Sequence, residues 1–342
     1  VFPELTLKND LILITGGAGY IGSHMLSLLL EQGREAVVFD DLSTGRRERV
    51  PEGVEFVRGD LRSAQDLENL FSRFRFDAVL HFAASIVVPE SVSEPLKYYD
   101  NNVWGSVNLL QHCLKHGARK FIFSSSAAVY GQPKMVPVNE EAPLRPENPY
   151  GTSKMMVEQI LRDCAAAGKM DYLALRYFNV SGAHPSGRIG QPLEEATHLL
   201  PNALKAAAGD IPALNIFGDD YPTRDGTCIR DYIHVMDLAR AHLLALEALD
   251  KSVKNAALNL GSGRGYSVKE MVSSVEKITG SPIPVKIAAR RPGDAAELVA
   301  SYAKAEELFG WRPQLGLEQI ISSAWEWQQK NSKGAKCKKD KE

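Results

Sequence analysis

A short apolar run, Leu11–Ile14, leads straight into the glycine-rich stretch Thr15 to Gly22. A helical pattern through Met25–Leu30 and a second apolar run, Glu35–Phe39, ending on Asp40 and Asp41, complete a strand, helix, strand unit. The alternation continues. Val54–Val57 reads as a strand, Ala64–Phe74 as a helix, Ala78–Phe82 as a strand, residues 93–116 as one long helix and Lys120–Ser124 as a strand. A further helix is expected from about Pro149 to Ala166 and a strand over Tyr172–Tyr177. Strands separated by helices require a parallel sheet covered on both faces, so the expected fold is α/β, doubly wound and of Rossmann type. After residue 178 the texture changes to stretches rich in Gly, Pro and Asp, Ser181–Pro192 and Gly218–Gly226, which reads as a smaller, loop-rich unit. A helix at Ile233–Leu249 is expected to pack back on the first unit. The division is therefore 1–178 and an interleaved 179–329, followed by a lysine-rich tail, 330–342, expected to be solvated and disordered.

Forty Lys and Arg against 42 Asp and Glu leave a formal charge of −2, which gives no chain-wide field for nucleic acid or a membrane surface. No apolar run is long enough to span a bilayer. The four cysteines, Cys113, Cys164, Cys228 and Cys337, form no C-x-x-C pair and no metal-ligand spacing with His, so free thiols, no metal site and a reducing compartment are expected. Residues 1–10 lack a basic segment followed by an apolar one, and the expected location is the cytoplasm.

Glycines at 16, 19 and 22, between a strand and a helix, allow backbone to approach a pyrophosphate at the positive end of the helix. Alone the spacing is weak, but strand before, helix after and an acid at the end of the next strand give it context. Asp40 is placed to accept hydrogen bonds from ribose hydroxyls and would repel a 2′-phosphate, which favours NAD; Arg46 and Arg47 nearby leave NADP as the alternative. Asp60, after the third strand, is a candidate partner of the adenine.

Tyr150 and Lys154 stand four apart at the start of a predicted helix, so they share a face. A lysine ammonium and a positively charged nicotinamide would both lower the phenol from its ordinary value near ~10. Ser124, Ser125 and Ser126 end a predicted strand on the same edge of the sheet and can deliver a hydroxyl there.

These strings together make the chain resemble the extended short-chain dehydrogenase/reductases, and within them the UDP-glucose (UDP-galactose) 4-epimerases, over about residues 10–328. The resemblance is carried by GGAGYIGSH at 16–24, HFAA at 81–84, YYDNNV at 98–103, SSSAAVYG at 124–131 and NPYGTSK at 148–154. RYFNVSGAHPSG at 176–187, IFGDDYPTRDGTCIRDYIHVMDLA at 216–239 and RRPGD at 290–294 add to it.

It implies Tyr150 as the base, Lys154 as the group that orients the nicotinamide ribose and tunes Tyr150, and Ser126 as the relay to the sugar hydroxyl. Cofactor contacts are implied for Gly16, Gly19, Tyr20, Ile21 and Gly22, for Asp40, Asp41, Ser43, Thr44 and Gly45, and for Asp60 and Leu61. Phe82, Ala83, Ala84, Asn101, Ser124 and Tyr177 complete that set. Asn179, His198, Leu199, Phe217, Arg230, Tyr232, Arg291 and Asp294 would hold the nucleotide half of a UDP-sugar, and Leu298 would abut the C2 substituent of the hexose. Two arginines suit a diphosphate chemically, but by residue type alone Arg230 and Arg291 read equally well as surface salt-bridge partners.

The chain departs from the family pattern at Ile86, where many members carry lysine, and at His198, which replaces an asparagine. The implied activity is NAD-dependent inversion at C4 through a 4-keto sugar, with UDP-glucose and UDP-galactose as the principal pair and weaker turnover of UDP-GlcNAc. UDP-glucuronate is the rival sugar. Dehydratases of the same fold place carboxylates where this chain has Ala127 and Ala128, which argues against elimination. A non-catalytic nucleotide-sugar or NAD sensor is the alternative from another class. A homodimer built from the two long helices is also implied.

Overall fold

The computed structural model describes residues 11–191, 198–251, 253–291 and 293–339. The first unit alternates as expected: β1 (Ile12–Thr15), α1 (Tyr20–Glu31), β2 (Ala36–Asp40), β3 (Glu55–Arg58), α2 (Ala64–Arg73) and β4 (Ala78–His81). Every residue of β1, β2 and β4 is buried, the pattern of parallel strands covered on both faces.

The single helix expected over residues 93–116 is divided. A short helix α3 (Val88–Ser93) stops at Glu94, whose φ of −126° and ψ of 58° are not helical, because the following Pro95 disfavours the helical region for its predecessor. The chain then restarts as α4 (Pro95–Tyr98), widens into a π-turn at Tyr99–Trp104 and continues as α5 (Gly105–His116). The π-turn carries Asn101 and Asn102.

β5 (Lys120–Ser126) is followed by α6 (Pro149–Ala166) and β6 (Asp171–Tyr177). Asn148 begins α6 by accepting the Gly151 N–H at 2.9 Å, and Pro149 occupies the position where a missing N–H does no harm.

The later chain supplies β7 (Asn179–Ser181), α7 (Leu199–Ala207), β8 (Leu214–Phe217), β9 (Ile229–His234), α8 (Val235–Asp250) and β10 (Ala256–Leu260). It ends with β11 (Gly265–Ser267), α9 (Val268–Thr279), β12 (Val285–Ala288), β13 (Glu297–Leu298), α10 (Ala303–Phe309) and α11 (Leu317–Lys339). The main sheet has the order β10-β6-β5-β4-β1-β2-β3 with every pairing parallel. Its order reverses between β1 and β4, and in open sheets of this kind ligands bind at the carboxyl ends beside that point.

α8 and α10 belong to the same hydrophobic cluster as α1, β1 and β10, so the later chain closes one face of the first sheet. α7, α9 and α11 enclose a separate small core beside the sheet of β7, β9, β11 and β13. α11 extends helically to Lys339, where composition alone leads one to expect a solvated, disordered tail; Lys, Gln and Ala are good helix formers, and the helix is already anchored through Ile320 and Ile321. Residues 340–342 and the expectation for residues 1–10 lie outside the described residues, as do those for Pro192 and the Cys337 side chain.

Candidate active site

The switch point of the sheet holds the glycine cradle. Gly16 has φ +71°, and a Cβ there would lie 2.6 Å from the Ala83 nitrogen; on Gly22 it would lie 2.3 Å from the Gly16 oxygen. Only glycine fits either place. Gly19 caps α1 with no side-chain hydrogen bond, and the first turn contains no acid, so N–H groups and the positive end of the helix are left for an anion. Ile21, in the same turn, is half-buried. Tyr20 leans away, its hydroxyl donating to the Gly182 carbonyl at 2.7 Å, and so ties the cradle to the loop after β7.

Asp40 ends β2 and is buried. Its two oxygens accept the N–H groups of Ala18 at 3.0 Å and Leu42 at 2.8 Å. Burial pushes this carboxyl above the usual range and the two N–H bonds oppose the shift. Each oxygen retains a lone pair for a ribose hydroxyl. Asp41 has a different use: its Oδ1 takes the N–H and hydroxyl of Ser43 and builds the turn that leads to exposed Thr44 and to Gly45, packed against Asp40. Asp60 is held by the Arg62 guanidinium at 2.6 Å, which keeps its carboxyl below the ordinary value, and Leu61 beside it is buried.

The loop after β4 brings Phe82, Ala83 and Ala84 to the cradle, with the Phe82 N–H on the Thr15 carbonyl at 3.0 Å. Asn101 donates to the Ser85 hydroxyl at 3.2 Å from the π-turn. These residues present a buried carboxylate, a backbone cradle and a phosphate-sized approach, and they fit a dinucleotide.

At the adjacent strand end, Lys154 is almost fully buried. Its Nζ donates to the Ser124 carbonyl at 2.8 Å and lies 4.9 Å above the Phe123 ring and 5.9 Å from the Tyr150 ring centre. Burial draws Lys154 down to about 7, while Glu158 opposes the fall. Burial raises the Tyr150 phenol, and a hydrogen bond with Ser126 lowers it again. When Lys154 is protonated, its charge beside the ring favours phenolate over phenol. Tyr177 reaches the same corner, hydrogen bonded to the Ser124 side chain and to His242 Nε2.

Across from this edge lies a cavity of about 440 Å³ lined by Gln132, Tyr221, Pro222, Arg290, Arg291, Gly293, Asp294 and Ala296. Arg291 stacks on Phe217 with its guanidinium carbon 3.9 Å from the ring centre, and Arg230 donates to Asp294 at 3.2 Å. His198, exposed at the N-terminus of α7 before Leu199, is lowered by the atoms crowded around its ring and by the Arg291 charge. Tyr232 is buried on β9 and paired in register with Asn179 of β7. Leu298 packs on the cluster of Val129, Tyr130, Phe178 and Ala300, between the two sides.

The NAD dependent epimerase/dehydratase family model matches residues 12–261. The chain belongs to that family. It is 52% identical to a UDP-glucose 4-epimerase of Azospirillum brasilense over 95% of this chain and 94% of the relative. It superposes on the crystal structure of the Bifidobacterium longum UDP-glucose 4-epimerase in complex with NAD+ and UDP with a TM-score of 0.90, at 42% identity, covering 95% and 99% of the two chains. The UDP-Glc/GlcNAc 4-epimerase of Campylobacter jejuni gives a TM-score of 0.82 at 45% identity, covering 94% and 99%.

Reading the sequence by residue type did not single out Gln132, Tyr221 and Arg290, which stand on the cavity wall. It also missed Glu158, Arg176 and His242 behind it. Glu158 could have been found by extending the four-residue step from Tyr150 to Lys154 one turn further.

Proposed function

We propose that the protein is an NAD-dependent isomerase that interconverts UDP-glucose and UDP-galactose by inversion at C4. NAD, when bound, takes the hydride from C4 and returns it to the opposite face of the 4-keto sugar, so there is no net oxidation. The chain's own groups handle the proton and the grip. Tyr150 removes the proton from the 4-hydroxyl with Ser126 as its partner, Lys154 favours the phenolate, and on return the phenol gives the proton back. Arg230 and Arg291 receive the diphosphate, Asn179, His198, Leu199, Phe217, Tyr232 and Asp294 complete the nucleotide side, and the hexose is left free to turn.

The observation that carries this reading over a dehydratase is the turn after Ser126. Ala127 and Ala128 stand there, the Ala128 N–H is tied to the Ser126 hydroxyl at 3.2 Å, and neither position offers an acid or base for elimination. Incubating the protein with UDP-galactose should give UDP-glucose and no 6-deoxy-4-keto product; appearance of the latter would overturn the reading. On the same reading Leu298 limits but does not abolish UDP-GlcNAc turnover, so Leu298→Tyr should depress kcat/KM for UDP-GlcNAc far more than for UDP-galactose.

The catalytic chemistry belongs to residues 1–178 and the UDP grip to 179–329, with β10 and α8 interleaved into the first unit. The assembly is a homodimer: Val92, Leu96, Trp104 and Met156 are large apolar side chains exposed along α3, α4, the π-turn and α6. Free thiols at Cys113, Cys164 and Cys228 suit a cytoplasmic setting.

A further inference from the structure

The three consecutive serines that end β5 divide between the two faces of the strand. Ser124 and Ser126 serve Tyr177 and Tyr150, whereas Ser125 faces the other way and donates to Glu158 Oε1 at 2.5 Å. Glu158 is 2% exposed and sits one helical turn beyond Lys154 on α6. Arg176 of β6 grips both its oxygens, Nε to Oε1 at 3.0 Å and Nη2 to Oε2 at 2.7 Å. The third nitrogen, Nη1, donates to the Tyr130 hydroxyl at 2.7 Å, which in turn donates to Asn259 Oδ1 of β10 at 2.7 Å. One helix, three strands and the turn after Ser126 are thus pinned at a single buried point, which the proton transfer itself does not use.

We infer that Glu158 is the positioning residue of the Tyr150 and Lys154 pair: its carboxylate, held by Ser125 and Arg176, fixes α6 against the Ser124–Ser126 strand end and places a negative charge one helical turn from Lys154. A buried ion pair brings little net stability, because desolvation offsets the attraction. Its specific product here is geometric and electrostatic. The charged or titratable groups around Lys154 are His81 at the end of β4, Tyr150 and Glu158 on its own helix, and Arg176 behind Glu158. His81 is kept neutral by burial, so Glu158 is what opposes deprotonation of the ammonium. If Lys154 loses its proton within the working range, the charge that favours the Tyr150 phenolate disappears with it.

The inference rests on the proposed roles of Tyr150 and Lys154, but its test separates the two. Lys154 Nζ is titrated by 15N NMR in lysine-labelled holoprotein, assigned against Lys154→Met, and the pH dependence of kcat is measured alongside. In Glu158→Gln the Lys154 proton should be lost about one pH unit lower or more, and the alkaline limb of kcat should move with it while KM stays within about two-fold. Glu158→Asp should restore the titration. Because Glu158→Gln leaves a buried guanidinium unpaired, Ser125→Ala is measured as a milder variant that keeps both charges; kcat should fall about three-fold or more with KM unchanged. A folded Glu158→Gln variant whose Lys154 titration matches the wild type would overturn the inference, and so would an unchanged kcat in Ser125→Ala. If the titration moves but the kcat limb does not, the positioning role fails while the charge effect stands. The catalytic roles themselves are judged by Tyr150→Phe.

Discussion

At the scale of single residues, each side of the site makes a different demand on substitution. Tyr150→Phe removes the group that handles the proton but not the ring, so turnover should fall at least ~10²-fold while UDP binding stays nearly intact. Initial rates beside a calorimetric UDP titration read both quantities. Arg291→Ala should act in the opposite sense. It strips a charged donor stacked on Phe217 from the nucleotide side, far from the reacting carbon, so KM should rise about ten-fold or more with a smaller change in kcat. The Tyr150, Lys154 and Ser126 set is legible in the chain because spacing along one helix and position at a strand end are local facts. The partners behind them are not local. Glu158 meets Arg176, and Tyr177 meets His242, only once β6 lies beside β5 and α8 lies over the sheet. An arginine within an apolar strand or a histidine within an apolar helix carries no sign of its partner until the layers close.

At the scale of elements, the first unit follows its hydrophobic period closely because parallel strands and covering helices each bury a continuous apolar run. Where a proline intervenes, at residue 95, the local rule outweighs the helical period and the long helix divides. The lysine-rich end shows the reverse: composition there reads as solvated, but an anchored helix propagates through it as far as Lys339. The junction of β1 and α1 is the element most sensitive to a single atom. Gly22→Ala would push a methyl group against the Gly16 carbonyl and force the first turn of α1 outward, away from the position a pyrophosphate needs. The variant should lose its nicotinamide on desalting, and its melting temperature should respond less to added NAD than that of the wild type. Retention of a full complement of nicotinamide in the denatured supernatant would show that the cradle tolerates the methyl group.

At the scale of the whole molecule, two features lie beyond any one element. Exposed Leu96 and Trp104 stand on the helical face formed by α4 and the π-turn, with Met156 on α6, and pairing through a two-fold axis would set these helices in a four-helix arrangement. On the proposed dimer, Leu96→Glu should yield a monomer by light scattering at micromolar concentration, whereas the wild type should scatter as a dimer. The second feature is a set of buried neutral histidines spread over both units. His24 of α1 bonds the Tyr20 carbonyl at 2.7 Å, and His81 of β4 lies between the Thr15 and Ser106 hydroxyls at 2.7 and 2.9 Å. His234, at the end of β9, bonds Ser323 of α11 at 3.1 Å, and His242 of α8 bonds Tyr177. Burial, more than any charge, holds His24 and His81 down to about 3 and His234 and His242 down to about 4. In the unfolded chain each takes up a proton near ~6.5, so below that pH the unfolded state binds more protons than the folded one. Their contribution to stability is present above the unfolded value and is lost as pH falls toward the folded ones, at about 1.4 kcal/mol per pH unit for each histidine. Between pH ~6.5 and ~5 carboxylates at their ordinary values remain ionised, while Asp40, Glu140 and Asp231, raised by burial, act in the opposite sense to the four histidines. Denaturant unfolding of the holoprotein at half-unit steps across this window should show stability falling with acid, with a net uptake below four protons. His24→Leu, which removes one site, should reduce that uptake by about one; a wild-type curve flat across the window would mean that the histidines are protonated in the fold.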